Sequence, residues 1–455
     1  MTWSSAGYPS DGAHRRRRRG TGRHPCGKAG RSRPDGGTVT AVAAFTYPWD
    51  VLGDPVAPAR LRELGADTAV LAAAYHSATA VTPRHPLHRV VHAPHSAVYY
   101  PPDPARWGPA ALRPAPQRWC GTADAYGQAA RHLRDAGLDV HAWVVIAHNS
   151  RLGAAHPEHA VRNAYGDSLS WALCIAQPEV RAYAATLAAE AAAQPGTSGI
   201  ELESCGCYGY AHLHAHDKTG GVPFGEAARY LLSLCFCPAC HDGYASRGAD
   251  PGKLRVAVRD ALEPLWRGNG GDGDGWAAVQ DLLGAELASA TLLQRLAATR
   301  SLQQEVIAAV RAEAGQGCRI VLHADPVPYR SGANPGVMAD DVLGRDLPAR
   351  ADGLVVPAAA VSRMAAACPR AGRLAAGGLA APVLAANHQI ISGMGGGGDF
   401  TVPPEATEIR LYHPGLASDP DLRTAAVSVA RHLATREDSA SATGHLTLSQ
   451  RMKPA

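Results

Sequence analysis

The sequence predicts an α/β chain in which eight parallel strands alternate with helices. Short apolar runs rich in Val, Ile, Leu and Ala alternate with helical segments, the pattern of a parallel sheet covered by helices. Eight such runs lie between Thr38 and Tyr412. Most of them end in aromatic, histidine or carboxylate residues: Tyr47, His76, His148, Glu203, His323 with Asp325, and His413. Chemistry-bearing residues at the strand C-termini are the habit of the (β/α)8 TIM barrel. The barrel expected here has long loops at its C-terminal face and a helical insertion after strand four. A doubly wound sheet is the competing architecture. It is disfavoured because no Gly-x-Gly-x-x-Gly follows the first run and no phosphate loop appears.

Residues 1–38 are rich in Gly, Arg and Ser and carry no apolar periodicity, so they read as a disordered basic extension. They hold nine Lys/Arg against Asp11 and Asp35, a net of +7, which leaves −3 for the rest of a chain whose total is +4. The basic character therefore belongs to the tail. An extension from an upstream start codon is favoured over contact with nucleic acid or anionic lipid. No apolar run reaches the roughly 18 residues that span a membrane. The Arg run is not followed by an apolar stretch, so a cytoplasmic location is expected.

Strand one is Thr38 to Phe45, ending in Tyr47-Pro48-Trp49-Asp50. Pro58 to Leu64 is a short helix closed by Gly65, and Asp67 to Ala74 is strand two, ending in Tyr75-His76-Ser77. The proline-rich stretch to Gly121 carries Tyr99, Tyr100, Trp107, Trp119 and four histidines, which argues for an ordered functional loop. Thr122 and Asp124 open a helix that Gly137 closes. Leu138 to Ala147 is strand three, ending in His148-Asn149, and Pro178 opens the next helix.

Strand four is Gly199-Ile200-Glu201-Leu202-Glu203. Period two puts Glu201 and Glu203 on one face and the two aliphatics on the other. A His-rich loop (His212, His214, His216, Asp217) and helices over about 225–315 follow. Strand five is Gly317 to His323, and strand six is Asp352 to Pro357. Strand seven is Arg373 to Gly378 or Pro382 to Ala386, and strand eight is Glu408 to Tyr412. A last helix covers about 419–435. The barrel domain is then 39–435, with 436–455 a disordered tail.

Glu203, at the rim of strand four, is the leading acid/base or nucleophile. Acetal chemistry needs a second carboxylate about 5–5.5 Å away for retention or about 6.5–9.5 Å for inversion. Asp325 is the favoured partner, and Glu201, one pleat deeper, is either that partner or a buried support. Tyr47, Trp49, Tyr75, His76, His148, Asn149, Tyr208, His323 and His413 are candidate substrate contacts. The thiols Cys205, Cys207, Cys235, Cys237 and Cys240 have spacing that a structural zinc would accept, with buried free thiols, a disulfide or a catalytic thiol as alternatives. No cofactor is required by this chemistry. A zinc amidohydrolase is disfavoured, since strand one ends in Thr46-Tyr47-Pro48-Trp49 where that class has His-x-His.

His141-Ala142-Trp143, His156-Pro157-Glu158, Gln177-Pro178-Glu179-Val180-Arg181 and Gly199-Ile200-Glu201-Leu202-Glu203, in that order, resemble the barrels called hypothetical glycosyl hydrolases. Cys235-Phe236-Cys237-Pro238-Ala239-Cys240 and Leu411-Tyr412-His413-Pro414-Gly415 are similar too. The resemblance runs over roughly 40–435. It implies a glycoside-hydrolase-like barrel whose substrate is a carbohydrate or another small polar molecule, with neither membrane nor nucleic acid as partner. The large retaining clan carries its nucleophilic Glu at strand seven. Neither version of strand seven here supplies a carboxylate, which leaves two alternatives: a non-catalytic carbohydrate-binding barrel, or a metal-dependent hydrolase or lyase built on the rim histidines. The oligomeric state is not set by the sequence.

Overall fold

The computed structural model describes residues 41–210, 217–269, 273–344, 347–368 and 382–451, with side chains described as far as 435. The basic segment 1–38, His212, His214, His216 and the candidate strand at Arg373 to Gly378 lie outside the described residues.

Eight strands close a barrel: β1 (Ala41–Thr46), β2 (Thr68–Tyr75), β3 (Asp139–Val145), β4 (Gly199–Glu203), β5 (Arg319–His323), β6 (Gly353–Pro357), β7 (Val383–Gln389) and β8 (Glu408–Tyr412). Each pairs in parallel with the next, and β8 closes onto β1 with Ala43 opposite Arg410. This is the (β/α)8 architecture expected from the sequence. β2 is buried along its whole length, as a strand covered on both faces must be.

The interior is unusual in its chemistry. Odd-numbered residues of β1, β3, β4 and β5 and even-numbered residues of β8 face inward, in stacked layers. At the N-terminal end Arg319 of β5 pairs with Glu408 of β8. One layer up, Arg410 Nε donates to Glu201 Oε1 at 2.8 Å, and Arg410 Nη1 donates to Glu408 Oε2 at 2.9 Å. Above these, Phe45 packs on Trp143 at 4.7 Å and edge-on to His323 and Tyr412, each at 5.5 Å. Val321, Val355 and Ala385 fill the side formed by β5 to β7. Gly199 has a steric reason to be glycine: a Cβ there would lie 2.6 Å from the His141 ring that crosses β4.

The stretch after β2 is ordered, as its aromatics suggested. It forms a hairpin (Ala78–Val81 with Val90–Ala93), a short strand Ala97–Val98 antiparallel to β2, and a one-turn helix Pro104–Trp107. Tyr99 and Tyr100 are fully buried there. The insertion after β4 supplies helices Glu226–Leu232, Pro238–Ala245, Pro251–Trp266 and Gly275–Leu283 before the long helix Ala285–Ala314. That helix is tied to Pro178–Ala192 by Arg181 and Glu305 at 2.8 Å. The closing helix is Asp419–Arg451, longer than the 419–435 expected.

Glu201→Leu strands the Arg410 guanidinium in the barrel interior and is expected to cost about 3–5 kcal/mol in chemical denaturation, with Glu201→Leu/Arg410→Met recovering most of it. A strictly additive double variant would show that the two charges do not act as a pair.

Candidate active site

Glu203 sits at the C-terminal end of β4, 8% exposed. Trp143 Nε1 donates to its Oε2 at 2.8 Å. Trp143 reaches it because β3 and β4 pair with Trp143 beside Glu201 and Val145 beside Glu203. Among the described residues no Lys or Arg pairs with Glu203. Burial therefore pushes its carboxyl up from the ordinary 4.5, and the His323 ring and the Trp143 N–H offset only part of that. Ser204 follows at φ 54°, a left-handed conformation rare outside glycine, and its N–H bonds to Ala333 O at 2.9 Å.

Glu201 has the opposite character. Burial works to raise its carboxyl, but the Arg410 charge and the His141 and His323 rings outweigh it and hold the group well below the carboxylate range. The rings approach at 3.5 and 3.7 Å, on either side of the carboxylate. Glu201 is thus paired with Arg410 in the barrel core, one pleat below the rim.

Asp325, after β5, is occupied on its own loop. Its Oδ1 accepts from Val327 N at 2.8 Å, and its Oδ2 lies 3.7 Å from Arg330 Nε. On β7 the residues nearest the rim are Asn387, His388 and Gln389, so that position carries no carboxylate.

The aromatic candidates converge. Tyr75 packs on Trp143 at 4.5 Å, and its hydroxyl lies 3.4 Å from that of Tyr412. Tyr47 stacks on Trp49 at 4.2 Å and on His413 at 4.3 Å. His76 meets His148 edge-on at 4.8 Å, and His148 stacks on Tyr208 at 4.6 Å. Trp49 and His413 are packed beneath the rim. Asn149 caps the helix Ser150–Ala155 through Leu152 N at 3.0 Å, and its Nδ2 donates to Tyr183. Its polar atoms are thus taken up by the scaffold. Among the described residues the rim histidines do not gather into a three-ligand metal group.

One group of metal-capable side chains does gather. Cys174, Cys235, Cys237 and Cys240 place their sulfurs within 4.8 Å of one another, all buried. Cys174 Sγ lies 3.6 Å from the sulfurs of both Cys237 and Cys240. A tetrahedral zinc with Zn–S about 2.3 Å implies S···S of about 3.8 Å, so the donor set fits that ion. Hydrogen bonds from the other three thiols pull Cys237 down and push Cys240 up, while those of Cys235 and Cys237 push Cys174 up against the opposing effect of Cys240. The expected ligands are corrected in two places. Cys205 is buried apart, and Cys207 Sγ faces Thr299 Oγ1 at 3.6 Å and Arg295 O at 3.8 Å. The fourth thiol is Cys174, which spacing could not reveal because it arrives from the loop after β3.

Trp143, Tyr412, Arg410 and Asp50 were also absent from the expected site. Strand parity from the singled-out residues did not reach the first three: on β8 Arg410 and Tyr412 alternate with His413, and no candidate lay within β3. Asp50 lies buried 4.0 Å from His413 Nδ1. Its Oδ2 accepts from Tyr47 N at 2.8 Å. Burial pushes Asp50 up to about 7 and His413 down to about 3.

No family model matches the chain, and no curated protein matches it. Among solved structures it is similar to α-L-fucosidase isoenzyme 2 from Paenibacillus thiaminolyticus, with TM-score 0.46 and 11% identity over 88% of this chain and 49% of that one. It is similar to the PgaB (BpsB) glycoside hydrolase domain from Bordetella bronchiseptica, with TM-score 0.49 and 13% identity over 86% of this chain and 99% of that one. It is also similar to the catalytic domain of β-amylase from Paenibacillus polymyxa, with TM-score 0.45 and 11% identity over 85% and 95%. The chain thus spans about half the length of the fucosidase.

The Asp50–His413 pair gives opposite pH dependences that cancel. Between about pH 4 and 6.5 the folded pair holds one proton, on Asp50, and the unfolded pair also holds one, on His413. Asp50→Asn leaves only His413, whose lowered value makes stability rise with pH across that window. His413→Phe leaves only Asp50, whose raised value makes stability fall from about pH 4 to 7. Each slope approaches 1.4 kcal/mol per pH unit at most. Urea midpoints measured across pH 4–7 check the two signs, and parallel profiles for both variants would refute the pairing.

Proposed function

We propose that this chain is a glycosidase-like hydrolase in which Glu203 is the proton donor to the leaving-group oxygen of an O-glycoside. The observation that carries this reading is Glu203 itself: a buried rim carboxylate with a raised pKa, one N–H donor, from Trp143, and no Lys or Arg partner among the described residues. A carboxyl whose burial favours the protonated form suits general acid catalysis. Trp143 orients it by bonding Oε2, which leaves Oε1 to face the substrate. Tyr75 and Tyr412 offer ring faces and hydroxyls beside it, and His76, His148 and Tyr208 extend the wall on which a sugar ring would stack.

Asp325 is the second carboxylate in this reading. Its Oδ1 accepts from Val327 N and its Oδ2 faces Arg330 Nε, an orientation that suits a base or charge stabiliser. A second reading, a carbohydrate-binding barrel without turnover, is favoured by one specific feature, the Asn387-His388-Gln389 end of β7. Zinc at the four thiols is structural in either case: four thiolates close the coordination shell, and the ion adds stability and no reaction step.

Glu203→Gln is expected to lower kcat/KM on alkyl or sugar glycosides by about 10²–10⁴-fold, and far less on dinitrophenyl glycosides, whose leaving group needs no proton. Equal losses on both would remove the acid role, and wild-type binding of sugar by calorimetry without any turnover would select the binding reading. Cys174→Ser is expected to abolish zinc stoichiometry by elemental analysis and to lower the unfolding temperature while sugar binding by the folded fraction persists.

A further inference from the structure

Arg295, on the long helix Ala285–Ala314, is a buried cation with no counterion among the described residues. It is 7% exposed, and its Nη2 has no hydrogen-bond partner. Its guanidinium lies over the Tyr230 ring at 4.8 Å. Among the described residues no carboxylate pairs with it. A buried charge left this way is costly unless something opposite faces it. A small cavity of about 40 Å³ supplies the candidate: it is lined by Arg295 together with Cys174, Cys235 and Cys240.

The same cluster has a charge problem of its own. Four thiolates around a divalent ion leave a net charge of −2 in a buried setting. Part of it is met by the backbone: Arg162 N–H points at Cys235 Sγ at 3.4 Å. Cys237 is the N-cap of the helix Pro238–Ala245, so Cys237 and Cys240 sit in its first turn, at the positive end of its dipole. These are partial charges. Among the described residues, Arg295 is the one full cation that lines the cavity. Two anomalies, an unpaired arginine and an uncompensated tetrathiolate, therefore resolve each other.

We propose that Arg295 is the buried countercharge of the metal-loaded Cys174–Cys235–Cys237–Cys240 centre and sets how firmly that centre holds its ion. This rests on the zinc reading above. Arg295 touches no substrate; it is a positioning residue for the metal site. The guanidinium neutralises half of the excess charge, and its removal raises the free energy of the loaded state alone.

The test uses the full chain loaded with zinc and challenged with a chromophoric chelator. Arg295→Met is expected to release zinc about 10–100-fold faster than wild type, the usual scale for groups around the ligands, with Arg295→Lys close to wild type. The gap in unfolding temperature between loaded and metal-free protein should shrink in Arg295→Met, which a merely structural role would leave unchanged. Unchanged release from Arg295→Met overturns the countercharge while zinc stands. Wild type that takes up no zinc, and behaves like Cys174→Ser, overturns the zinc reading and this proposal with it. Where Arg295→Met does not fold, Arg295→Gln is compared with Arg295→Lys and is read the same two ways.

Discussion

The ion pair between Glu201 and Arg410 is the constraint from which the rest of the barrel interior follows. β4 and β8 stand four strands apart around the barrel, so the 2.8 Å bond crosses the lumen. A fully buried carboxylate and a fully buried guanidinium are tolerable only together. Their pairing fixes the register and facing of both strands, and through Glu408 and Arg319 it extends to β5. It also divides the two acids of β4. Arg410 is engaged one pleat below the rim, so among the described residues Glu203 has tryptophan and histidine for neighbours and no Lys or Arg. The same strand thus presents one carboxylate held well below the ordinary range and one that burial pushes up.

Much of this was legible in the sequence. Seven strands were, and the eighth as one of two versions of strand seven, because a barrel strand is a short apolar run with a polar end, and each such run is a local signal. The sharing of a face by Glu201 and Glu203 was legible for the same reason: period two needs no tertiary information. What spans the lumen was not. Arg410 lies in β8, 209 positions from Glu201, and nothing in either run names the other. Cys174 was missed likewise, having no motif of its own, while Cys205 and Cys207 sat near the right thiols in sequence and away from them in space. Asn149 misled in another way. A polar residue after a strand is as useful for starting the next helix as for meeting a substrate, and here it does the former.

The rim and the thiol cluster share a wall. Tyr208 stacks on His148 at the barrel mouth, and it also lines the cavity that holds Arg295 and three of the sulfurs. It comes six residues after Leu202, on the segment that leaves β4 through the left-handed Ser204. The loop that finishes the candidate active site is thereby packed between the barrel and the insertion. Its shape depends on both.

The cysteine cluster has a topological consequence. Cys174 and Cys235 are 61 positions apart, and the chain between them contains the helix Pro178–Ala192 and the whole of β4. When the sulfurs are held together, that stretch becomes a ring closed at its ends. Closing a loop of this length takes about 3–4 kcal/mol of chain entropy from the unfolded ensemble. The strand that carries Glu203 is then a segment of a cycle, and it cannot peel from the sheet from a free end. Its excursions are confined to bulging within the ring, so the positional precision of one carboxylate at the barrel mouth is tied to four sulfurs that never approach it.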